Sequence, residues 1–480
     1  MTDNNHDVGA TGLTARLAAH VAEVANADPS RADVEIVRRL LLDNYIVSLW
    51  GMTRPVADEI GNWTQRFAGS GTSPVLGRSW TTEPSVAALV HGTAAHGFEL
   101  DDTHNSTASH PGCVILPVAL AVASEPGPPL SRDRFFSAII AGYEAMALVG
   151  DAAGGMAAVH RGFHPTPLFG AFGGAVTALA IRAARTGVSL EPQEIVTSWG
   201  LALSQPSGSM QFSVESTGGE IKRAHAGLGA QNAIRSADFA ALPAVTAPRH
   251  ALEGVYGVSA SFGAPPRDVL NSNRLQERQI TALSLKPYSC CRLFHSTIDA
   301  LRIATDDFTA DIDAVVDILI TGPQLIAEQH MTPAESSMTA QYSCPYVVGA
   351  TLAYGPSGYD AYDEDHLDDP AIRAIAARVR FEVDEELERT YYPEHFATAV
   401  RLTFADGAVR EARVVDSVGT AQNPMTVDDI RAKADGLSRH GLEGLAERLV
   451  AVIWDETADP ARLADALHRE SRLTTAPTAV

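Results

Sequence analysis

The chain has 480 residues, with 58 Asp or Glu against 36 Lys or Arg, a formal charge of −22. A sequence pI near 5.1 excludes the basic footprint needed to hold nucleic acid by counterion release. An apolar share of 45% with 20% charged residues is that of a globular protein and excludes a disordered or collagen-like chain. At about 100 to 200 residues per domain, the length predicts two or three domains, or one large domain with a second inserted into it.

In chain order, the first half predicts helices over Leu13 to Ala27, Arg31 to Trp50, Glu83 to Leu100 and Arg132 to Gly150. Apolar residues recur there at helical spacing between Gly and Pro punctuation, and Ser30 or Asp33 is the N-cap of the second helix. Thr103 to Ser124, Gly162 to Ile181 and Ile195 to Val214 carry no Asp, Glu, Lys or Arg. Each is interrupted by proline, histidine or a Ser/Asn/Gln cluster, so these read as buried core helices with polar connecting loops, and no membrane span is expected. Gly170 to Arg185 is apolar on nearly every face and rich in Gly and Ala, which predicts a central helix with neighbours packed close. Near residue 280 the period changes to alternation, over Asp313 to Ile320, Ala376 to Val383, Ala397 to Phe404 and Val409 to Val415. Ala405, Asp406 and Gly407 join the last two as a hairpin. The run Asp360 to Asp369, six acids without a base, reads as a solvated loop. After Pro424 the helical pattern returns in MTVDDIRAKADGL and HGLEGLAERLVAVIW. The expected fold class is mainly α: an all-helical domain built from residues 1–282 and 423–480, with a smaller α+β domain inserted over 283–422.

Four cysteines, Cys113, Cys290, Cys291 and Cys344, show no C-x-x-C and no zinc spacing, which argues against a disulfide scaffold or an iron-sulfur protein. The opening MTDNNHDVGATG lacks the basic and apolar regions of a secretory signal, so the expected compartment is the cytoplasm. Common nucleotide-binding, hydrolase and metalloprotease signatures are missing.

The densest polar segment runs from His91 and His96 through Glu99, Asp101, Asp102, Thr103 and His104 to His110. Carboxylates and imidazoles buried against apolar helices acquire the shifted pKa values that acid–base catalysis needs. The alternative is that the aspartates cap helix ends and the histidines are satisfied core residues. His164, following Arg161, sits just before the small-residue helix, near its positive end. Two of the three lysines lie in polar clusters: Lys222 with Arg223 and His225, and Lys286 with Tyr288, Arg292 and His295. Cations concentrated at a few loops of an acidic protein suit an anionic substrate. Cys290 and Cys291 read as packing residues. Asp101 to Asn105 faintly echoes the magnesium motif of isoprenoid synthases, but no second metal motif accompanies it.

Taken as an ordered set, HGTAAHGFELDDTHNSTASHPG, RGFHPTPLFGAFGGA, IKRAHAG, KPYSCCRLFHSTIDAL and QYSCPYVVGA resemble the MmgE/PrpD family, which includes 2-methylcitrate dehydratase and cis-aconitate decarboxylase. The resemblance implies a helical domain with an inserted α+β lid, a homodimer, and catalysis without metal or organic cofactor. It matches the family's catalytic residues to Thr103, His110, His164, Lys222 and Lys286. Glu99, Asp101, Asp102, Arg161, Tyr288, Cys291 and Arg292 are then the expected substrate-binding residues. Two positions depart from the decarboxylase pattern: an aspartate is Glu99 here, and a histidine is Cys291. The lid tyrosine matches either Tyr288 or Tyr342. What this implies is a lyase acting on a small di- or tricarboxylate, foremost dehydration of a 2-methylcitrate-like hydroxy acid. Decarboxylation of a cis-aconitate-like acid, isomerisation or epimerisation, and carboxylate binding without catalysis are the alternatives.

Overall fold

The computed structural model describes residues 12–205, 208–214, 219–271, 275, 277–329, 334–437, 444–457 and 459–475. The fold is mainly helical with one four-stranded sheet. Helix Arg31–Gly51 begins at Ser30, whose hydroxyl accepts from the Asp33 amide while the Asp33 carboxylate accepts from the Ser30 amide. Ser30 is therefore the cap, and Asp33 closes the capping box.

The small-residue helix is longer than expected, Pro165–Thr186, because Pro165 at its first position has φ already set for a helix. It packs on Gly112–Ala123, Arg132–Ala152 and Ile221–Ala240. A Cβ at Gly173 would lie 2.6 Å from the Gly142 carbonyl oxygen, so only glycine permits this approach to Arg132–Ala152. Arg132–Ala152 and Pro165–Thr186 are long and apolar enough to cross a bilayer, but their most apolar windows are 100% and 78% buried against other helices.

One predicted helix ends early. The Pro84–Ala95 helix stops five residues before Leu100, and the chain turns through His96 and Gly97 until Glu99 takes a left-handed φ of +56°. This turn needs glycine at 97, since a Cβ there would stand 2.9 Å from the Ala94 carbonyl oxygen and 3.3 Å from the Gly51 Cα.

The sheet has the order Val379–Val383, Val315–Gly322, Thr398–Phe404, Val409–Val414; its first pair is parallel and the others antiparallel. All four strands fall where the alternation placed them, and helix His295–Ala304 packs across the last two. A shorter ladder pairs Thr103 with Ser284 and His104 with Leu283, fixing the segment before Lys286 against the turn that follows Glu99.

Two acids of the 360–369 run also make structural contacts. Asp363 pairs with Arg54, whose guanidinium lies 4.1 Å from the Trp50 ring and 4.2 Å from the Phe98 ring, and Asp369 accepts from the Ala371 and Ile372 amides.

Helix Val427–Leu437 returns to pack on Arg31–Gly51, and Pro460–Thr475 packs on Gly112–Ala123. Of the last predicted helix, residues 440–443 lie outside the described residues and Leu445–Ile453 is helical. Buried Lys433 donates to Asp43 at 2.7 Å and to the Leu100 carbonyl at 2.8 Å, tying the returning helix to the turn that carries Glu99 and Asp101. Burial pushes the Asp43 carboxyl up and the Lys433 ammonium down, and each opposes the shift in the other. Removing one partner strands a buried charge, so Lys433→Met should destabilise the protein by about 3 to 5 kcal/mol in urea unfolding. Lys433→Met with Asp43→Leu should recover most of that; a single variant costing under about 1 kcal/mol would contradict the assignment.

Candidate active site

The site is organised around the Glu99 carboxylate. Lys222, from helix Ile221–Ala240, donates to its Oε1, and Lys286 donates to its Oε2 at 2.9 Å. Arg223 Nη1 and the Tyr342 hydroxyl each lie 3.4 Å from Oε1. The left-handed backbone at Glu99 is strained for a residue with a Cβ, and this set of partners holds it there. Burial, then Arg223 and Lys286, push the Lys222 ammonium well below its usual range.

Four buried imidazoles lie beside these charges. Ring centroids are 5.5 Å apart for His96 and His164, 5.1 Å for His96 and His110, and 5.3 Å for His164 and His225. His110 Nδ1 is 2.7 Å from the Asp102 carbonyl oxygen, which only accepts, so Nδ1 carries the proton and Nε2 the lone pair. His96 Nδ1 donates to Asp101 at 2.6 Å by the same logic. His164 Nδ1 and His225 Nδ1 are 3.1 Å apart, so one donates to the other. Burial holds His164 well below the imidazole range, aided by the neighbouring His96, His225 and His110 rings. His110 is also lowered, chiefly by burial, and His225 is pushed down to about 4 by burial and Lys222. At neutral pH these are proton acceptors rather than imidazolium acids.

A cavity of about 190 Å³ opens over this cluster, lined by Glu99, Thr103, His110, His164, Lys286, Cys291 and Arg292 among the expected residues, with Tyr342. Thr103 Oγ1 lies 3.3 Å from His110 Nδ1. Arg292 is 5% exposed, its Nε and Nη1 have no hydrogen-bond partner, and burial pushes its guanidinium down to about 10. A buried cation without hydrogen-bond partners is costly unless an anion reaches it. Burial pushes the Cys291 thiol up, so it lines the cavity as a neutral group.

Five expected residues sit elsewhere. Arg161 is exposed and donates to the Ala260 and Ser261 carbonyls, because the turn that ends at His164 directs it outward. Tyr288 donates to Asp299 and its ring lies tilted 5.2 Å from that of His295, away from the cavity, so of the two candidate tyrosines Tyr342 lines the cavity, together with Tyr392. Asp102 is a helix cap: it accepts from the Gly112 amide at 2.8 Å and from the Tyr143 hydroxyl at 3.1 Å. A Cβ at Gly112 would stand 2.7 Å from that carboxylate, and burial pushes its pKa up to about 7. Asp101 lies beneath the cavity, bound to His96 and 3.5 Å from His110 and 3.6 Å from Lys286. Lys222 stands behind Glu99, outside the lining.

His96, Arg223 and His225, to which the sequence alone assigns no role, hydrogen-bond to Asp101, Glu99 and His164 respectively. The signal available was their occurrence within three or four residues of assigned ones. His96, Asp101 and Cys113 bring a nitrogen, an oxygen and a sulfur within 4.8 Å of one another. His96 Nδ1 and Asp101 Oδ2 are bound to each other and Cys113 donates to the His110 carbonyl at 2.9 Å, burial keeping it a thiol, whereas His96 Nε2 and Asp101 Oδ1 have no hydrogen-bond partner.

Residues 15–268 match the MmgE/PrpD N-terminal domain and residues 288–456 the MmgE/PrpD C-terminal domain. A cis-aconitate decarboxylase-like protein of Aspergillus oryzae is 25% identical over 88% of this chain and 89% of its own length. The cis-aconitate decarboxylases of mouse and human are 22% and 24% identical, each over 82% of this chain and 80% and 81% of their own lengths. With both domain descriptions matched in order across a site built on the family's motifs, the chain belongs to the MmgE/PrpD family.

Proposed function

We propose that this protein is a cofactor-independent lyase acting on a small di- or tricarboxylate, by dehydration of a citrate-like hydroxy acid. The observation that carries the reading is the pairing of neutral, buried imidazoles with the unpartnered Arg292 guanidinium in one cavity. Removing a proton beside a carboxylate needs a neutral base and fixed positive charge where the anion accumulates.

In this mechanism Arg292 and Lys286 hold the substrate carboxylates. His164 donates from Nδ1 to His225, which leaves its Nε2 lone pair free to take the C–H proton. The C–O bond then breaks, a C=C bond forms, and the imidazolium returns its proton to the departing hydroxide as water. His110, with its lone pair at Nε2, accepts from the substrate hydroxyl and orients it. Glu99 holds Lys286 in place, and His225 is a positioning residue that sets the tautomer of His164.

Decarboxylation is the second reading, supported by the names of the related proteins. It needs a proton donor for the carbanion, and the position of the decarboxylase histidine holds the neutral thiol Cys291. The homodimer and the division into helical domain and lid, both implied by the family, belong to the same proposal.

Proton NMR of citrate, 2-methylcitrate and cis-aconitate incubated with the enzyme separates the two, because water loss and carbon dioxide loss leave different products. Dehydration is the expected outcome, and His164→Gln should lower its rate by about 10² to 10⁴ with the fold intact by circular dichroism. His225→Phe should lower kcat more than KM, and His225→Gln, which still accepts from His164, should restore much of it; equal loss in both would remove His225 from the mechanism. Because His164 is depressed below 6.5, its neutral form persists as pH falls through that value. The acid limb of kcat/KM should therefore lie below pH 6.5, and a limb at or above it would rule out His164 as the base.

A further inference from the structure

Beneath the cavity, His96, Asp101 and Cys113 bring three kinds of ligand atom together. His96 caps the end of helix Pro84–Ala95, Asp101 lies in the turn after Glu99, and Cys113 stands in the first turn of helix Gly112–Ala123. His96 Nδ1 is 2.6 Å from Asp101 Oδ2 and 3.7 Å from Cys113 Sγ, and the three ligand atoms lie within 4.8 Å of one another. Among the described residues, no other three histidine, cysteine or carboxylate side chains approach so closely. Ligand atoms bound at about 2.0 to 2.3 Å to a tetrahedral zinc ion stand about 3.3 to 3.8 Å apart, a spacing the trio reaches with shifts of about 1 Å.

Two of these residues also have an atom to spare. His96 and Asp101 are 0% and 1% exposed, yet His96 Nε2 and Asp101 Oδ1 have no hydrogen-bond partner. When a cation takes His96 Nδ1, the proton there moves to Nε2. When it takes Asp101 Oδ2, Oδ1 still faces Lys286 at 3.6 Å. Cys113 gives its thiol proton to solvent, and its hydrogen bond to the His110 carbonyl is lost with it.

We infer that the trio is an inhibitory site for one thiophilic divalent cation, zinc or cadmium, held by His96 Nδ1, Asp101 Oδ2 and Cys113 Sγ. A set with one sulfur and one imidazole selects such ions over magnesium and calcium, which take oxygen ligands. An ion entering from the cavity passes the His110 ring, whose Nδ1 is 3.5 Å from Asp101 Oδ2. Once bound, it draws the Asp101 charge away from His110 and Lys286, and it sets positive charge on the His96 ring, stacked 5.5 Å from His164. A base beside a fixed cation accepts a proton less readily, so turnover falls. The inhibition rests on the lyase reading, whereas the binding of the ion does not.

Cadmium titrated into the full chain should bind at one per protein by calorimetry, with the ultraviolet absorption of a cadmium–thiolate bond. X-ray absorption of the zinc-bound protein should show one sulfur at about 2.3 Å among lighter ligands at about 2.0 Å. Cys113→Ala should weaken binding by about a hundredfold or more and remove the absorption, and Cys291→Ser should change neither. Turnover of citrate, 2-methylcitrate or cis-aconitate should fall by at least about tenfold with zinc bound, recover on chelation, and no longer respond to zinc in Cys113→Ala. Failure to bind either ion, two or more sulfurs around it, or unchanged binding in Cys113→Ala overturns the site, and the parent protein alone decides the first two. Full turnover with the ion bound overturns its inhibitory role. An ion held through Cys113 with no acid turned over keeps the site and removes the lyase reading; acids turned over with no ion bound do the reverse.

Discussion

The Glu99 carboxylate, shared by Lys222 and Lys286, is the contact on which the rest of the site depends. Two ammonium groups with 0% exposure would be costly to bury without a counter-charge, and Glu99 supplies it from a turn that only the end of the Pro84–Ala95 helix can place there. The pair also spans the architecture. Lys222 belongs to a core helix of the first half, whereas Lys286 follows the short ladder that leads toward the sheet. A longer side chain than the decarboxylase aspartate lets one carboxylate reach both cations, so this departure from the family pattern is met by the geometry around it.

Much of the fold was legible in the sequence because it rests on period. The sheet strands alternate since one face is buried, as in Thr398–Phe404, where Thr398, Val400, Leu402 and Phe404 are inside. The central helix was legible from its glycines, which mark close backbone approach. The early stop at Ala95 was not, because periodicity continues through Leu100.

At the site, Lys222 and Lys286 stood out by scarcity, and the histidines by density. Arg161 and Arg292 were indistinguishable in sequence, each beside histidine and aromatic residues. Only the path of the chain decides that one reaches surface carbonyls while the other is buried beside the cavity with two nitrogens unpartnered. The helix-cap alternative proved right for Asp102, and the acid–base reading suits its neighbours. The charge of −22 excludes little about the substrate, since the cations that meet it are buried and local.

The short ladder between Thr103 and Ser284 has a consequence for how the chain folds. Its two residues are 181 positions apart, and Lys433 reaches back 390 positions to Asp43. Closing such spans costs chain entropy that nearby contacts cannot offset, so both closures come late. The helices of the first half can assemble while the chain is still being made, but the cavity is complete only once Leu325, Tyr342 and Phe396 are in place. A nascent chain therefore holds Lys222 and Glu99 near each other well before it has any capacity to hold a substrate.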